Sequence, residues 1–375
     1  MHAGEIAQLD YGERISRAVR LMVAEGLDAL ILSRPSESRS LFYLTGADRL
    51  CANLVIYRDG GSTLLILEED LLDAKTTAHA DEVKTFTSAR SQFEAIANAL
   101  KEHGLSRGVL GVEKHFIHVG FYENLRAALP APLQITDATK VTGQLRLIKT
   151  EDEITLIRKA SAIATKALES ATETVRPGTP ENEIAATVEY ELRRNGAEAT
   201  AMSTFIASGP RTQAAHPPPS SRKLQRSEVV LIDLHPRIQG YCSDLAATFT
   251  VSTEDTGLTG QLRRSLEARD SSIQELRIGD RFSTIHLGYL RRLSNYGFTV
   301  PSVPFFNNLH GVGVSANDPP SFWHPTDVEI QPGMVFALAQ CPVQPQQIEA
   351  VGMRFEDTYL VTESGVERLT SPQNQ

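Results

Sequence analysis

Four residues pose the first chemical question: Asp233, Asp244, His310 and Glu356. Val229-Val230-Leu231-Ile232-Asp233 is an apolar run that ends on a carboxylate. Asp244 follows on the next strand, beyond a turn around Arg237-Ile238-Gln239-Gly240. If these strands pair, the two carboxylates come close. Buried like charges repel unless a proton or a cation lies between them. The alternative is that both are turn-adjacent or exposed. Leu309-His310-Gly311-Val312-Gly313 sets an imidazole among small residues, where backbone is free to approach a ligand. Taken alone, such a histidine also fits a structural role. Gly352-Met353-Arg354-Phe355-Glu356-Asp357 opens a strand rich in charge, and read singly it is equally a solvated edge. Convergence of the two Asp, the His and the Glu would make a donor set suited to Mn, Fe, Co or Zn.

These groups need strands to hold them. Beyond Ser203 the chain turns to short apolar runs at 229–234, 242–251, 335–338 and 357–361, punctuated by Gly and Pro. That texture predicts a mostly antiparallel sheet with helices on one side, an α+β arrangement. Thr150-Glu151-Asp152-Glu153 is a capping-box pattern opening a helix whose face carries Ile154, Ile157, Ser161 and Ala164. A second helix has Thr179 as N-cap, Pro180 at its first position and Gly196 as its stop. His216-Pro217-Pro218-Pro219-Ser220-Ser221 reads as a stiff surface loop.

Upstream, strands alternate with helices to about residue 140, an α/β pattern. A helix is expected over 14–25, stopped by Gly26, then a buried strand over 27–32. Arg58-Asp59-Gly60-Gly61 marks a hairpin turn between two strands. A helix over 92–103 and a buried strand over 108–112 follow. The boundary is expected within 145–150, giving domains of 1–142 and 143–375.

Composition narrows the function classes. The 375 residues are 41% hydrophobic and 22% charged, which excludes collagen, mucin and wholesale disorder. A net charge of −9 without a basic block argues against nucleic acid. Cys51, Cys242 and Cys341 are too few and too scattered for a disulfide framework or a zinc knuckle, so a reducing cytoplasm is expected. No stretch approaches a membrane span, and the N-terminus carries no apolar signal segment.

The order and spacing of these pieces resemble the creatinase/prolidase/aminopeptidase P family and its pita-bread fold, over nearly the whole chain. Leu41-Phe42-Tyr43-Leu44-Thr45-Gly46 resembles the family's N-terminal domain, and Leu145-Arg146-Leu147-Ile148-Lys149-Thr150 its junction helix. Arg176-Pro177-Gly178-Thr179 resembles the turn that follows, and Ser208-Gly209-Pro210 with His216 the histidine loop facing the substrate. The resemblance implies an α/β N-terminal domain, an α+β pita-bread catalytic domain with a curved antiparallel sheet covered by helices, and a homodimer.

It also implies a ligand set of two Asp, one His and two Glu. Asp233, Asp244, His310 and Glu356 match four of the five. The fifth falls three residues after Pro332-Gly333-Met334-Val335-Phe336, where this chain has Ala339. A second family histidine is Asn317 here. Three remaining carboxylates would be balanced for the most part by one divalent ion (Fe, Mn or Zn). Without a metal they would need protons, Arg354 or a cationic substrate. By the same resemblance His216 is the acid/base group, as in creatinase-like relatives that work without metal. Creatinase's own carboxylate on the second strand is Ala246, which argues against creatine itself. Tyr241, Asn317 and Arg354 are substrate-pocket candidates, and Cys341 is either near the site or a small buried thiol.

The expected function is a hydrolase cleaving a C–N bond in a small amino-acid derivative or short peptide. His216 would move protons and at most one metal would be present, against an ordinary dinuclear metallopeptidase. An Xaa-Pro dipeptidase or aminopeptidase, a lyase on the same scaffold and a non-catalytic pseudoenzyme are the alternatives.

Overall fold

The computed structural model describes residues 9–34, 38–48, 51–252, 257–300, 308–321, 324–339, 343–346 and 351–370. Cys341 lies outside these. The chain divides into two compact units, with the break between Arg146 and Leu147.

The first unit comprises α1 (Tyr11–Ala24), β1 (Ala29–Arg34), α2 (Ser40–Thr45), β2 (Ala52–Tyr57), β3 (Ser62–Leu67), α3 (Leu71–Thr77), β4 (Glu82–Phe86), α4 (Ser91–Glu102), β5 (Gly108–Val112), α5 (Val119–Ala128), β6 (Leu133–Asp137) and α6 (Thr139–Leu147). One mixed sheet runs β4-β3-β2-β1-β5-β6. The expected hairpin is there: β2 and β3 pair antiparallel, and Tyr57 N bonds Gly61 O across the turn at 2.8 Å. Helix α1 begins before residue 14 because Asp10 caps it, accepting from Glu13 N at 2.9 Å. Apolar strand residues Ile31, Val55, Leu65 and Leu110 pack with Phe93 and Ile96 of α4 and Leu125 of α5. Helix α6 carries the first unit past the expected boundary at 142. Tyr43 Oη and Arg17 Nη2 both donate to Leu145 O, and Arg146 donates to Ser38 O.

The second unit comprises α7 (Glu151–Thr172), α8 (Glu181–Arg194), β7 (Ala199–Thr200), β8 (Phe205–Ser208), β9 (Val229–Leu234), β10 (Pro236–Ile238), β11 (Tyr241–Cys242), β12 (Leu245–Thr250), α9 (Leu258–Gln274), α10 (Phe282–Asn295), β13 (Phe298–Thr299), β14 (Leu309–Gly311), β15 (Val335–Leu338), β16 (Gln344–Pro345), β17 (Asp357–Thr362) and β18 (Gly365–Arg368). Both bonds of the Thr150/Glu153 capping box form at the start of α7. Helix α8 starts one residue later than its spacing predicts. Pro180 is extended and bridges to Lys223, so it serves as the cap rather than the first helical residue.

Two antiparallel sheets form the working face of this unit, β12-β9-β8 and β14-β15-β17-β18. They meet through a backbone bridge between Ala246 and Glu356, with N–H···O distances of 3.1 and 2.9 Å. One core holds Val230, Ile232 and Leu234 of β9, Leu245 and Ala247 of β12, and the apolar stripes of α7 and α8. This is the α/β plus α+β pita-bread arrangement.

Candidate active site

Strand alternation decides which side chains meet. Side chains in a strand point to opposite faces in turn. With Val230, Ile232 and Leu234 in the core, Asp233 takes the opposite face of β9. Its register partner on β12 is Ala246, which in turn bridges Glu356. Asp244 lies two residues before Ala246 and so falls on the same face. On β14, Leu309 enters the core and His310 turns away from it. His310 pairs with Ala337, and Ala337 with Thr358. The four donors read from the sequence therefore converge on one face of the seam between the sheets.

A fifth donor joins them. His235 lies two residues after Asp233 and takes the same face. Its Nε2 is 3.0 Å from Asp233 Oδ1 and 3.3 Å from Asp244 Oδ1. Across the site, His310 Nε2 is 3.9 Å from Asp244 Oδ2 and 3.4 Å from Glu356 Oε1. Two overlapping trios result, Asp233–His235–Asp244 and Asp244–His310–Glu356, each with its donor atoms within 4.8 Å of one another. All five residues are buried, between 1% and 5% exposed. The sequence reading missed His235, although an Asp-x-His spacing at the end of a buried strand was the available signal.

The surroundings hold these groups in place and leave their working atoms open. Thr358 Oγ1 accepts from Asp244 N at 3.0 Å and donates to Asp244 O at 2.9 Å, fixing that backbone. His310 Nδ1 is 3.1 Å from Gly311 O, so Nε2 is left to face the carboxylates. Gly311 admits no side chain, because a Cβ there would lie 2.2 Å from Pro319 O. The small residue thus serves a close backbone approach, not approach by a ligand as the sequence suggested. Asp357, next to Glu356, points the other way and pairs with Arg269 and Arg368. Apart from the facing imidazoles, Glu356 Oε1, Asp233 Oδ1 and Asp244 Oδ1 are buried without a hydrogen-bond partner among the described residues.

Three orphaned carboxylate oxygens beside two imidazoles fit a divalent cation. Such ions bind carboxylate and imidazole donors at about 2.0–2.2 Å. Burial and the Asp244 charge together push the Glu356 carboxyl up to about 7. Asp233 behaves oppositely: burial works to raise it, but His235 and Arg354 prevail and hold it below the ordinary carboxylate value. For both His235 and His310, burial is outweighed by the facing carboxylates, which raise the imidazole above its usual value.

Arg354 links this cluster to the His216 loop. Its Nη1 donates to Asp233 Oδ2 at 2.6 Å and its Nη2 to Ala215 O. The Phe205 ring lies between two imidazoles, 5.3 Å by centroid from His216 and 5.8 Å from His235. His216 is exposed on the loop, yet partial desolvation and the Arg354 charge hold it below the ordinary imidazole value. The loop itself is pinned by Glu181, which is fully buried at the start of α8. That carboxylate accepts from Ser208 Oγ at 2.8 Å, Ser220 Oγ at 2.6 Å and Arg211.

The remaining candidates take other positions. Tyr241 is fully buried and donates its hydroxyl to Glu153 Oε1 at 2.9 Å, so it supports the start of α7 rather than a substrate. Asn317 is half-buried with its amide 3.8 Å from Met202 Sδ. Ala339 is buried and brings no donor.

The second unit is a pita-bread domain carrying a buried Asp/His/Glu cluster. Residues 155–363, more than half the chain, match metallopeptidase family M24, and residues 14–148 match the creatinase/prolidase N-terminal domain. The chain belongs to metallopeptidase family M24. It is 27% identical over 367 residues to the Xaa-Pro dipeptidase of Pyrococcus horikoshii, covering 97% of this chain and 98% of that one. It is 29% identical over 364 residues to the Xaa-Pro dipeptidase of Pyrococcus furiosus, covering 97% and 99%. Superposed on the solved prolidase of Pyrococcus horikoshii, it gives a TM-score of 0.82 at 27% identity over 97% of this chain and 99% of that one. An Xaa-Pro dipeptidase from Bacillus anthracis shares the fold, with a TM-score of 0.84 at 22% identity over 98% and 99%.

Proposed function

We propose that this protein hydrolyses the peptide C–N bond of short peptides of the Xaa-Pro class, with a divalent metal held by Asp233, Asp244, His310 and Glu356. The observation that carries the reading is the set of orphaned, buried carboxylate oxygens facing imidazole nitrogens. A metal held there supplies Lewis acidity to the water and carbonyl of the reaction. The family membership and the dipeptidase relatives support a peptide substrate over the small amino-acid derivative that the sequence reading placed first.

The chain's own residues supply the rest. His216, held below its ordinary pKa, is neutral near pH 7 and ready to accept a proton as general base. The protonated ring can then return that proton to the leaving nitrogen. Arg354 positions the His216 loop through Ala215 O while neutralising Asp233. Asn317 stands where family resemblance expects a histidine, so His216 carries the proton traffic alone.

The expectation of at most one metal rested on four donors. His235 makes five, and the donor count no longer argues against two ions. A metal-independent reading draws on a separate observation: Arg354 and His235 already set cationic groups beside Asp233.

The test uses full-length protein, chelated or supplied with Mn(II) or Co(II), with Ala-Pro and Met-Pro in water labelled with oxygen-18. The expected result is free proline in the metal-loaded sample only, with label in the new carboxylate. Equal cleavage in both samples would select the metal-independent reading. Products without label would select a lyase, and no cleavage in either sample would contradict the proposed function.

A further inference from the structure

We infer that His235 is a metal ligand, joining Asp233 and Asp244 as the third donor to the weaker of two cation positions and offsetting the donor missing at Ala339. The inference rests on the metallopeptidase reading and extends it. Three observations carry it.

The first is donor geometry. Ligands at 2.0–2.2 Å from one ion lie about 3.0 Å apart at right angles and about 3.4 Å apart in a tetrahedron. His235 Nε2 sits 3.0 and 3.3 Å from Asp233 Oδ1 and Asp244 Oδ1. Apart from His235, those two oxygens have no hydrogen-bond partner among the described residues. Three buried donor atoms within 4.8 Å of one another suit an ion among them.

The second is the orientation of Asp244. Its Oδ1 faces His235 while its Oδ2 faces His310. A carboxylate with one oxygen toward each imidazole is disposed to bridge two ions, which in two-metal hydrolases lie about 3.5–4 Å apart. Each position then has one imidazole and one private carboxylate, Asp233 or Glu356, and the two share Asp244.

The third is charge. With Glu356 ionised and both imidazoles deprotonated, as ligation requires, three carboxylates and Arg354 sum to −2, so the first divalent ion neutralises the site. The second enters against a balanced charge and next to the Arg354 guanidinium, 2.6 Å from Asp233. Binding is therefore sequential, first with Glu356 and His310, then with Asp233 and His235. His235 has no hydrogen-bond partner at Nδ1 among the described residues. Its ring packs at 5.8 Å against the edge of Phe205.

Cobalt(II) tests this in the metal-free full-length protein. Bound cobalt is measured by equilibrium dialysis and mass spectrometry, and the proton spectrum of the loaded protein reports shifted imidazole N–H signals. Wild type should bind two ions per chain in two steps and show two such signals. His235→Asn should bind one ion and lose one signal, and His310→Asn should lose the other. His235→Gln gives a second variant should the first fail to fold, and the wild-type spectrum needs neither. A single imidazole signal in wild type, or unchanged stoichiometry in both His235 variants, would overturn the assignment and leave His235 a protonated counter-ion inside the site.

Ala-Pro cleavage in the same samples separates the two ideas. Cleavage by wild type with unaltered cobalt binding in the His235 variants defeats this inference alone. Loss of one ion in those variants, without any cleavage by wild type, defeats the dipeptidase reading alone.

Discussion

On the Glu356 side, Asp244 meets His310 and a carboxylate with no guanidinium paired to it among the described residues. On the Asp233 side it meets His235 and a carboxylate already bonded to Arg354. The two halves share an anion and each has one imidazole, yet their electrostatics are opposed. Burial beside like charge raises Glu356 to about 7, whereas neighbouring cations hold Asp233 low. Geometry alone would call the halves similar. On the proposed two-ion reading, the positions of the cations make the Glu356 half the stronger cation site, and Arg354 ties the other half to the His216 loop.

The shared anion gives the largest effect. Asp244→Asn should remove metal from both halves and abolish peptide cleavage, as measured by metal content and turnover. Loss of an outer partner of a ligand costs about 10–100-fold in metal affinity, and loss of the shared ligand should exceed that. If only one ion were lost, the bridging role of Asp244 would be wrong.

His216→Asn should lower kcat by about 10²–10⁴-fold, the range for a positioned acid/base group, with metal content unchanged. In wild type the acid limb of kcat/KM should lie below an ordinary imidazole's ~6.5. The active ring is the neutral one, and its lowered pKa moves protonation to more acidic pH. An acid limb above that value would place another group in the role.

Arg354→Met would strip the weak half of its guanidinium. Metal-free protein should lose up to about 3–5 kcal/mol, because the buried Asp233 charge keeps only His235 as its cation. Added cobalt should restore part of that stability by binding the folded chain. It should also close the gap between the two binding steps. Thermal melts with and without cobalt check both outcomes.

Ala339→Glu sharpens the comparison from the other direction. A carboxylate returned to the face carrying His310 should tighten the strong step by about 10-fold, at the low end of ligand-environment effects, and leave the weak step in place. Titration calorimetry would separate the two.

Much of this was legible from residue order. The capping box at Thr150, the hairpin at Gly60 and the runs that become β9, β12, β15 and β17 follow from local chemistry that tertiary packing does not override. Convergence of Asp233 with Asp244 followed from strand pairing, and Glu356 joined them through the family resemblance. Arg354 was foreseen as a neutralising group and meets Asp233. His235 was not foreseen, because its Asp-x-His spacing becomes informative only once that face of the strand is known to be the site. Tyr241 was misassigned for a related reason: its partner, Glu153, is far away in sequence and only the fold joins them. The buried Glu181 that pins the His216 loop was hidden in the same way.

The most direct test of unequal halves is an anomalous difference map from crystals soaked in low, then high, manganese(II). The account expects one peak among Asp244, His310 and Glu356 at low concentration. A second peak, among Asp233, His235 and Asp244, should appear only at high concentration. A first peak on the His235 side, or two peaks filling together, would contradict it.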